Sequence, residues 1–228
     1  MQTVILAGGK GKRLRPLTYR MPKPMAYIKG KPFLQHQLEH IEKFGLKNIL
    51  ILTGYMGEQI MEYFEDGSKL DLDIQYSHEN IPLGTGGALK NAQNILENEF
   101  LLLNGDTFMP INYPELIDLY HRNNTLATIT VYSNQDHIIK NNITTDEDDL
   151  VSRYSKRDSN EMRYVDAGVI ALNKKIVDLI PQDRNCSLEE EIFIQLIKMK
   201  EMKAYITDQR FYDMGSREGI TLMEKILS

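Results

Sequence analysis

A single cysteine, Cys186, excludes any intramolecular disulfide and is consistent with a reducing, cytoplasmic setting. It precedes the polar run Ser187-Leu188-Glu189-Glu190-Glu191 with no catalytic base near it in sequence, so a packing role is expected. Long apolar runs are also missing. Ile49-Leu50-Ile51-Leu52 is typical, far short of the roughly eighteen residues that span a bilayer. Nothing resembles a secretory leader, because Lys10 to Arg15 follow the first apolar run where a small-residue cleavage site would lie. Internal repeats, low-complexity tracts and linkers are lacking, and 228 residues with 42% hydrophobic and 26% charged side chains fit one large α/β domain or two small ones, with a single domain over residues 1–228 expected. The most informative deficit is local. Residues 1–38 contain no Asp or Glu but carry Lys10, Lys12, Arg13, Arg15, Arg20, Lys23, Lys29 and Lys31, in a chain of net charge -5.

Those cations surround Val4-Ile5-Leu6-Ala7-Gly8-Gly9-Lys10-Gly11-Lys12-Arg13-Leu14-Arg15-Pro16-Leu17-Thr18 and Pro22-Lys23-Pro24-Met25. An apolar run too short for a helix leads into closely spaced glycines, as in a buried strand feeding a phosphate loop. Glycine lets backbone N–H groups approach one anion, and the lysines and arginines supply counter-charge. A dinucleotide fingerprint would need a third glycine after Gly9-x-Gly11, where Leu14 stands, and an acid about twenty residues on; the first acid is Glu39. A P-loop would need Ser or Thr after Gly11-Lys12, where Arg13 stands. Neither pattern fits.

Farther along, Phe33, Leu34, Leu38, Ile41 and Phe44 recur at helical spacing, with Gly45 as the stop. His36 and His40 lie one helical turn apart with no third ligand, so they are expected to be ordinary helix surface. Strands are expected at 48–53, 71–77, 100–103, 127–132, 165–172, 203–207 and 211–214, and helices at 57–64, from 84 through Ala92 and Ile95, at 114–121, 176–180 and 188–199, and after Ser216. The second of these late helices should turn Ile192, Leu196 and Met199 inward. The acidic run Asp146-Glu147-Asp148-Asp149 has neither the hinge Gly nor the closing Glu of a calcium loop and reads as a solvated hairpin turn. Strand, glycine loop and helix alternate as in βαβ units, so the sheet should be mainly parallel and wound in the Rossmann manner. Ligands of such sheets sit beyond the strands' carboxyl ends, where the first glycine loop, Pro82-Leu83-Gly84-Thr85-Gly86-Gly87 and Asn104-Gly105-Asp106 should fall. Asp106 and Asp213 each end an apolar run and precede small or polar residues, which suits hard-cation ligands as well as turn caps.

Over nearly its full length the chain resembles the sugar-phosphate nucleotidylyltransferases. The resemblance implies an α/β, Rossmann-like three-layer fold with a mainly parallel mixed central sheet. It makes Leu6, Ala7, Gly8, Gly9, Lys10, Gly11, Lys12 and Arg13 the nucleotide loop, and Glu79, Pro82, Gly84, Thr85 and Gly86 the base-side contacts. Lys23, Asn104, Lys156, Asp166 and Gly168 would meet the sugar phosphate, Asp106 and Asp213 would hold Mg2+, and Arg13, Lys23 and Asp106 would be catalytic. Asp166-Ala167-Gly168 departs from the family's Asn-Ala-Gly, and Ser155-Lys156 replaces a Glu-Lys pair, which leaves the carboxylate role open, with Asp166 one candidate.

The implied reaction is attack of a sugar 1-phosphate on the α-phosphorus of a nucleoside triphosphate, releasing pyrophosphate. An ionised Glu79 only accepts hydrogen bonds; guanine offers adjacent N1–H and N2–H donors, uracil and thymine one, so GTP is favoured, then UTP. Within the family the motifs most resemble guanylyltransferases acting on D-glycero-α-D-manno-heptose 1-phosphate. N-acetylmuramate 1-phosphate uridylyltransferases and mannose 1-phosphate guanylyltransferases share much of the pattern. Two rivals, a nucleotide-binding regulatory subunit and a dehydrogenase-like binder, are disfavoured by the intact Arg13, Lys23, Asp106 and Asp213 and by the missing dinucleotide pattern. With no extended basic stripe or aromatic platform, no nucleic acid is expected, nor a membrane. With no appended domain after the second aspartate motif, a monomer or small homo-oligomer is expected.

Overall fold

The computed structural model describes residues 1–182 and 184–227. In chain order the elements are β1 (Gln2–Ala7), β2 (Tyr27–Ile28), β3 (Lys31–Pro32), α1 (Phe33–Glu42), β4 (Asn48–Thr53), α2 (Gly57–Phe64), β5 (Asp73–His78), α3 (Gly84–Asn91), β6 (Glu99–Asn104) and β7 (Thr107–Phe108). They continue with α4 (Tyr113–Arg122), β8 (Ala127–Tyr132), β9 (Ile143–Thr145), β10 (Val151–Tyr154), β11 (Val165–Asn173), α5 (Phe193–Lys198), β12 (Met202–Thr207), β13 (Tyr212–Asp213) and α6 (Arg217–Ile226). The chain divides into two compact units. The first comprises Met1–Pro82, Leu103–Phe108 and Tyr212–Ser228, the second Leu83–Leu102 and Met109–Phe211.

In the first unit the strand order is β6-β1-β4-β5, with β6 contributing its last two residues. The pairs β1–β4 and β4–β5 are parallel, with Ile5 opposite Ile51 and Leu50 opposite Gln75. Val4, Ile5, Ile49, Leu50 and Ile51 have no exposed surface, which is why these strands read as continuous apolar runs rather than alternating ones. Helix α1 buries Phe33, Leu34, Leu38 and Ile41 along one stripe. A second apolar cluster of Ala26, Ile28, Phe33, Phe108, Met214 and Met223 fixes the short antiparallel ladder in which Asp213 faces Thr107 and Tyr212 faces Phe108.

The second unit orders its strands β12-β8-β11-β6. Strand β12 runs parallel to β8 and β11 antiparallel to it, with a register shift between Asp166 and Ile170. The pairs of the first unit are thus parallel and those of the second mixed, the α/β arrangement expected. The acidic run sits in the turn joining the antiparallel pair β9–β10, where Asp146 Oδ1 accepts backbone N–H groups of Asp148 and Leu150.

Several local expectations are corrected. The helix expected at 188–199 begins as a π-helical turn, Leu188–Ile192, and α5 ends at Lys198, which leaves Met199 half exposed rather than inward. Residues Lys174–Leu179 form a 3-10 helix, and α3 ends at Asn91, short of an exposed Ile95. His36 and His40 are not plain helix surface. His36 Nε2 lies 2.8 Å from the carbonyl of Ile28, and His40 packs on Phe44 and Phe108, where burial lowers its pKa.

Candidate active site

The first unit assembles its charged residues on turns at strand ends. After β1, Gly11 takes φ +55, the left-handed region that favours glycine. A Cβ there would stand 2.9 Å from Thr18 Cγ2 and 3.0 Å from Lys23 Cβ, so the loop, Thr18 and Lys23 pack with no room for a side chain. Thr18 Oγ1 donates to the carbonyl of Gly11 at 2.9 Å, and Tyr55 Oη donates to that of Thr18 at 3.0 Å. Gly9, Lys10, Lys12 and Arg13 lie exposed, while Leu6 and Ala7 lie inside or near the strand's buried end. Glu79 is drawn against this loop. A Cβ on Gly8 or on Gly54 would stand 3.0 Å from Glu79 Oε1, so the carboxylate lies close against both glycines.

Lys23 sits in the 3-10 turn Lys23–Met25, between Pro22 and Pro24, whose fixed φ values shape the turn. Its side chain is buried, and Nζ donates to Asp106 Oδ2 at 2.5 Å and to Asp213 Oδ1 at 3.5 Å. The two aspartates, 107 residues apart in sequence, thus share one ammonium group. The backbones carrying them are also tied, since Met214 N donates to the Asp106 carbonyl at 2.9 Å. Arg13 belongs to the same group of side chains. A Cβ on Gly215 would meet Asp213 Oδ2 at 2.5 Å and both terminal guanidinium nitrogens of Arg13 at 3.0 Å. Gly105, whose N–H donates to Leu6 at 3.0 Å, brings the Asp106 turn against the end of β1, and a Cβ there would lie 2.5 Å from the Leu6 carbonyl.

These residues fit a divalent cation. Two carboxylates face one buried ammonium, with the exposed Arg13 guanidinium near Asp213, and the aspartate side chains are 35% and 40% exposed, open to a further partner. Among the described residues no group of three or more His, Cys, Asp or Glu side chains could hold a metal by itself. An ion held by Asp106 and Asp213 would therefore complete its shell with water and substrate oxygens, the usual habit of Mg2+ at phosphates.

One contributor escaped the sequence reading. Gln37 is 2% exposed, and its Nε2 donates to the carbonyls of Asn104 at 3.0 Å and Thr107 at 2.9 Å, bracketing Gly105-Asp106. Its signal was available, since position 37 lies four residues from both Phe33 and Ile41 on the buried stripe of α1, where a polar side chain needs a partner. Gln37→Leu keeps the volume and removes both bonds, each worth about 1 kcal/mol net. We expect turnover to fall at least tenfold while the melting temperature drops by only a few degrees; steady-state rates beside a thermal melt check this, and unchanged turnover would count against it.

The second unit holds another cluster. The N–H groups of Gly86 and Gly87 both donate to the Cys186 carbonyl, and Cys186 N–H donates to Leu83. Gly84 has φ +76, and a Cβ there would lie 2.5 Å from the Cys186 carbonyl oxygen. These glycines admit the Cys186 segment at close range, and the buried cysteine packs against Gly86. Thr85 Oγ1 donates to Glu189 Oε2 at 2.8 Å and accepts the N–H of Leu188 at 2.9 Å. Lys156 Nζ, exposed, donates to Glu189 Oε1 at 3.1 Å.

Asp166 accepts from Gly168 N–H at 2.9 Å and from Tyr154 Oη at 3.1 Å, and burial pushes its pKa upward. Burial, then the neighbouring Asp166 charge, raises the Tyr154 phenol. Within the first unit the structure therefore brings Arg13, Lys23, Asp106 and Asp213 together and sets Glu79 beside Gly8, with Asn104 half-buried and Pro82 exposed. Within the second it joins Thr85 and Lys156 through Glu189, while Asp166 and Gly168 bond to each other.

A glycine turn after a buried strand, a buried lysine and two aspartates on strand-end turns thus meet in one part of an α/β protein. The nucleotidyl transferase family model matches residues 2–226, and the chain belongs to that family. It is 35% identical over 218 residues to D-glycero-alpha-D-manno-heptose 1-phosphate guanylyltransferase of Campylobacter jejuni, covering 96% of both chains. It is 34% identical over 222 residues to mannose-1-phosphate guanylyltransferase of Mycobacterium tuberculosis, where 96% of this chain spans only 62% of that relative's length. Among solved structures, HddC from Yersinia pseudotuberculosis complexed with GMP-PN superposes with a TM-score of 0.82 at 29% identity, covering 100% of this chain and 99% of that one. Among the described residues no helix is long and apolar enough to cross a membrane.

Proposed function

We propose that this chain transfers GMP from GTP to a sugar 1-phosphate, D-glycero-α-D-manno-heptose 1-phosphate above others, releasing pyrophosphate and making a nucleotide sugar for surface-glycan synthesis. The observation that carries the reading is the pairing of Lys23 with Asp106 and Asp213 beside the Gly8–Arg13 loop. Such a transfer needs no covalent protein intermediate, so positioning and charge neutralisation supply most of the catalysis. Lys23, released from the carboxylates, contacts the phosphates at the reacting centre, and Arg13 holds the leaving β- and γ-phosphates. Asp106 and Asp213 would hold a divalent ion, Mg2+ in our reading, which would supply neutralisation of phosphate charge. Glu79, held against Gly8 and Gly54, accepts the N1–H and N2–H donors of guanine. Lys156, Asp166 and Gly168 serve the sugar phosphate. Residues 1–228 act as one catalytic domain, working in the cytoplasm as a monomer or small homo-oligomer.

A matrix of the four ribonucleoside triphosphates and dTTP against heptose, mannose and N-acetylmuramate 1-phosphates, read by pyrophosphate release, tests this. GTP with the heptose phosphate should give the highest kcat/KM. A preference for UTP with N-acetylmuramate 1-phosphate would overturn both the base and the sugar assignments, and a preference for mannose 1-phosphate the sugar alone.

A further inference from the structure

Ser155 precedes Lys156, so no carboxylate adjoins that lysine in sequence. The fold supplies one from 33 residues away. Three consecutive glutamates on the Leu188–Ile192 turn each meet a different cation: Glu189 meets Lys156, Glu190 meets Arg157 at 3.6 Å and Glu191 meets Arg184 at 2.5 Å. Glu189 is the most withdrawn from solvent, its side chain 15% exposed against 58% and 33% for the other two. Burial alone would raise its pKa. Lys156, a backbone N–H and the hydroxyls of Thr85 and Ser187 outweigh that and hold it below the ordinary value, so the group is ionised at neutral pH.

A carboxylate offers about four lone-pair positions. Lys156 Nζ takes one on Oε1, and Thr85 Oγ1 and Ser187 Oγ, at 2.8 and 2.9 Å, take two on Oε2. Of the side-chain donors, Oε1 takes one and Oε2 takes two, so the oxygen facing the lysine is the less occupied of the pair. The ammonium carries three N–H donors, of which Glu189 uses one. The less occupied carboxylate oxygen therefore adjoins open donors, the complement of a hydroxyl next to an oxygen acceptor, as a sugar phosphate presents. Structural need does not account for the lysine: Thr85 and Ser187 already hold the carboxylate, and an ion pair with a half-exposed lysine contributes only about 0–1 kcal/mol.

We propose that Glu189 is the sugar-recognition carboxylate of this chain, accepting a hydroxyl of the sugar 1-phosphate while Lys156 contacts a neighbouring oxygen. The proposal rests on the sugar 1-phosphate reading above. It also gives Thr85 a second role, since its hydroxyl, placed at the start of α3, fixes the carboxylate's orientation.

Glu189→Gln and Lys156→Met should each raise the KM for the preferred sugar 1-phosphate at least tenfold, leave the KM for GTP within about twofold, and shift the melting temperature little. The double variant should be less than additive, as expected of a coupled pair. Lys156 is exposed, so its variant stays informative if Glu189→Gln folds poorly. An unchanged sugar KM, or equal rises in both KM values, would overturn the proposal. If the unsubstituted chain releases no pyrophosphate with any sugar phosphate, the parent reading fails. Saturation transfer from the protein to α-D-mannose 1-phosphate then decides: a signal present in the unsubstituted chain and lost in both variants supports the pair, whereas no signal, or the same signal in all three, overturns it.

Discussion

Replacing Lys23 by alanine is expected to lower turnover by roughly two to three orders of magnitude, the range seen when one preorganised charge-stabilising donor is removed from a reacting centre. The ammonium of Lys23 is buried between Asp106 Oδ2 and Asp213 Oδ1. Without it two carboxylates face each other, and the phosphate oxygens of a bound substrate lose the nearest buried cation. Folding should suffer far less. The backbone of the Lys23–Met25 turn is set by Pro22 and Pro24 and by the bond from Met25 N–H to the Pro22 carbonyl, none of which involves the ammonium. Each aspartate is also more than one-third exposed, so water screens the repulsion that remains. Lys23→Arg should not restore the rate, because a planar five-donor guanidinium is a poor substitute for a compact ammonium in a buried slot. Pyrophosphate release under saturating substrates, beside a thermal melt, separates the two effects. Near-normal turnover in Lys23→Ala would remove the lysine from the reacting centre.

Asp106→Asn is expected to cost at least as much, about a thousandfold in kcat/KM, with the fold intact. The amide is nearly isosteric and can still accept from Thr107 Oγ1, which lies 3.2 Å from Asp106 Oδ1. Its turn remains held by Gln37 on both sides and by Gly105 N–H on Leu6. What disappears is a unit of negative charge and the closest partner of Lys23, together with the divalent-ion ligand proposed above. The loss should therefore appear as a raised requirement for the ion, with half-activation moving to much higher Mg2+ concentration. Asp213→Asn should move the same quantity in the same direction. A variant with reduced kcat but an unaltered metal requirement would show that the aspartate serves the lysine alone.

Much of this arrangement was legible before any coordinates. The segments 48–53, 57–64 and 127–132 form their expected elements over those same residues, because apolar spacing is unbroken across them and a glycine or polar residue closes each. The chemistry of Gly8 to Arg13, Lys23, Asp106 and Asp213 was legible as residue types at strand ends, and the shared ammonium that joins them comes from the fold. Gln37 and Glu189 were harder to see. Each acts through groups distant in sequence, Gln37 through carbonyls 67 and 70 residues away and Glu189 through a lysine 33 residues away, and local periodicity carries no record of such partners. The π-helical turn at Leu188–Ile192 was hidden for a related reason. Its apolar spacing resembles an ordinary helix, while its start is set by Ser187 Oγ accepting Glu190 N–H and by Thr85. The division into two units left no trace either, since no linker composition marks it.

Manganese substitutes for magnesium at oxygen sites and is visible by electron paramagnetic resonance, so titrating the purified chain with Mn2+ in the presence of GTP tests the shared aspartate site directly. Our account predicts bound Mn2+ with GTP in the unsubstituted chain and a loss of at least tenfold in affinity in both Asp106→Asn and Asp213→Asn. Equal Mn2+ affinity in all three proteins would contradict it.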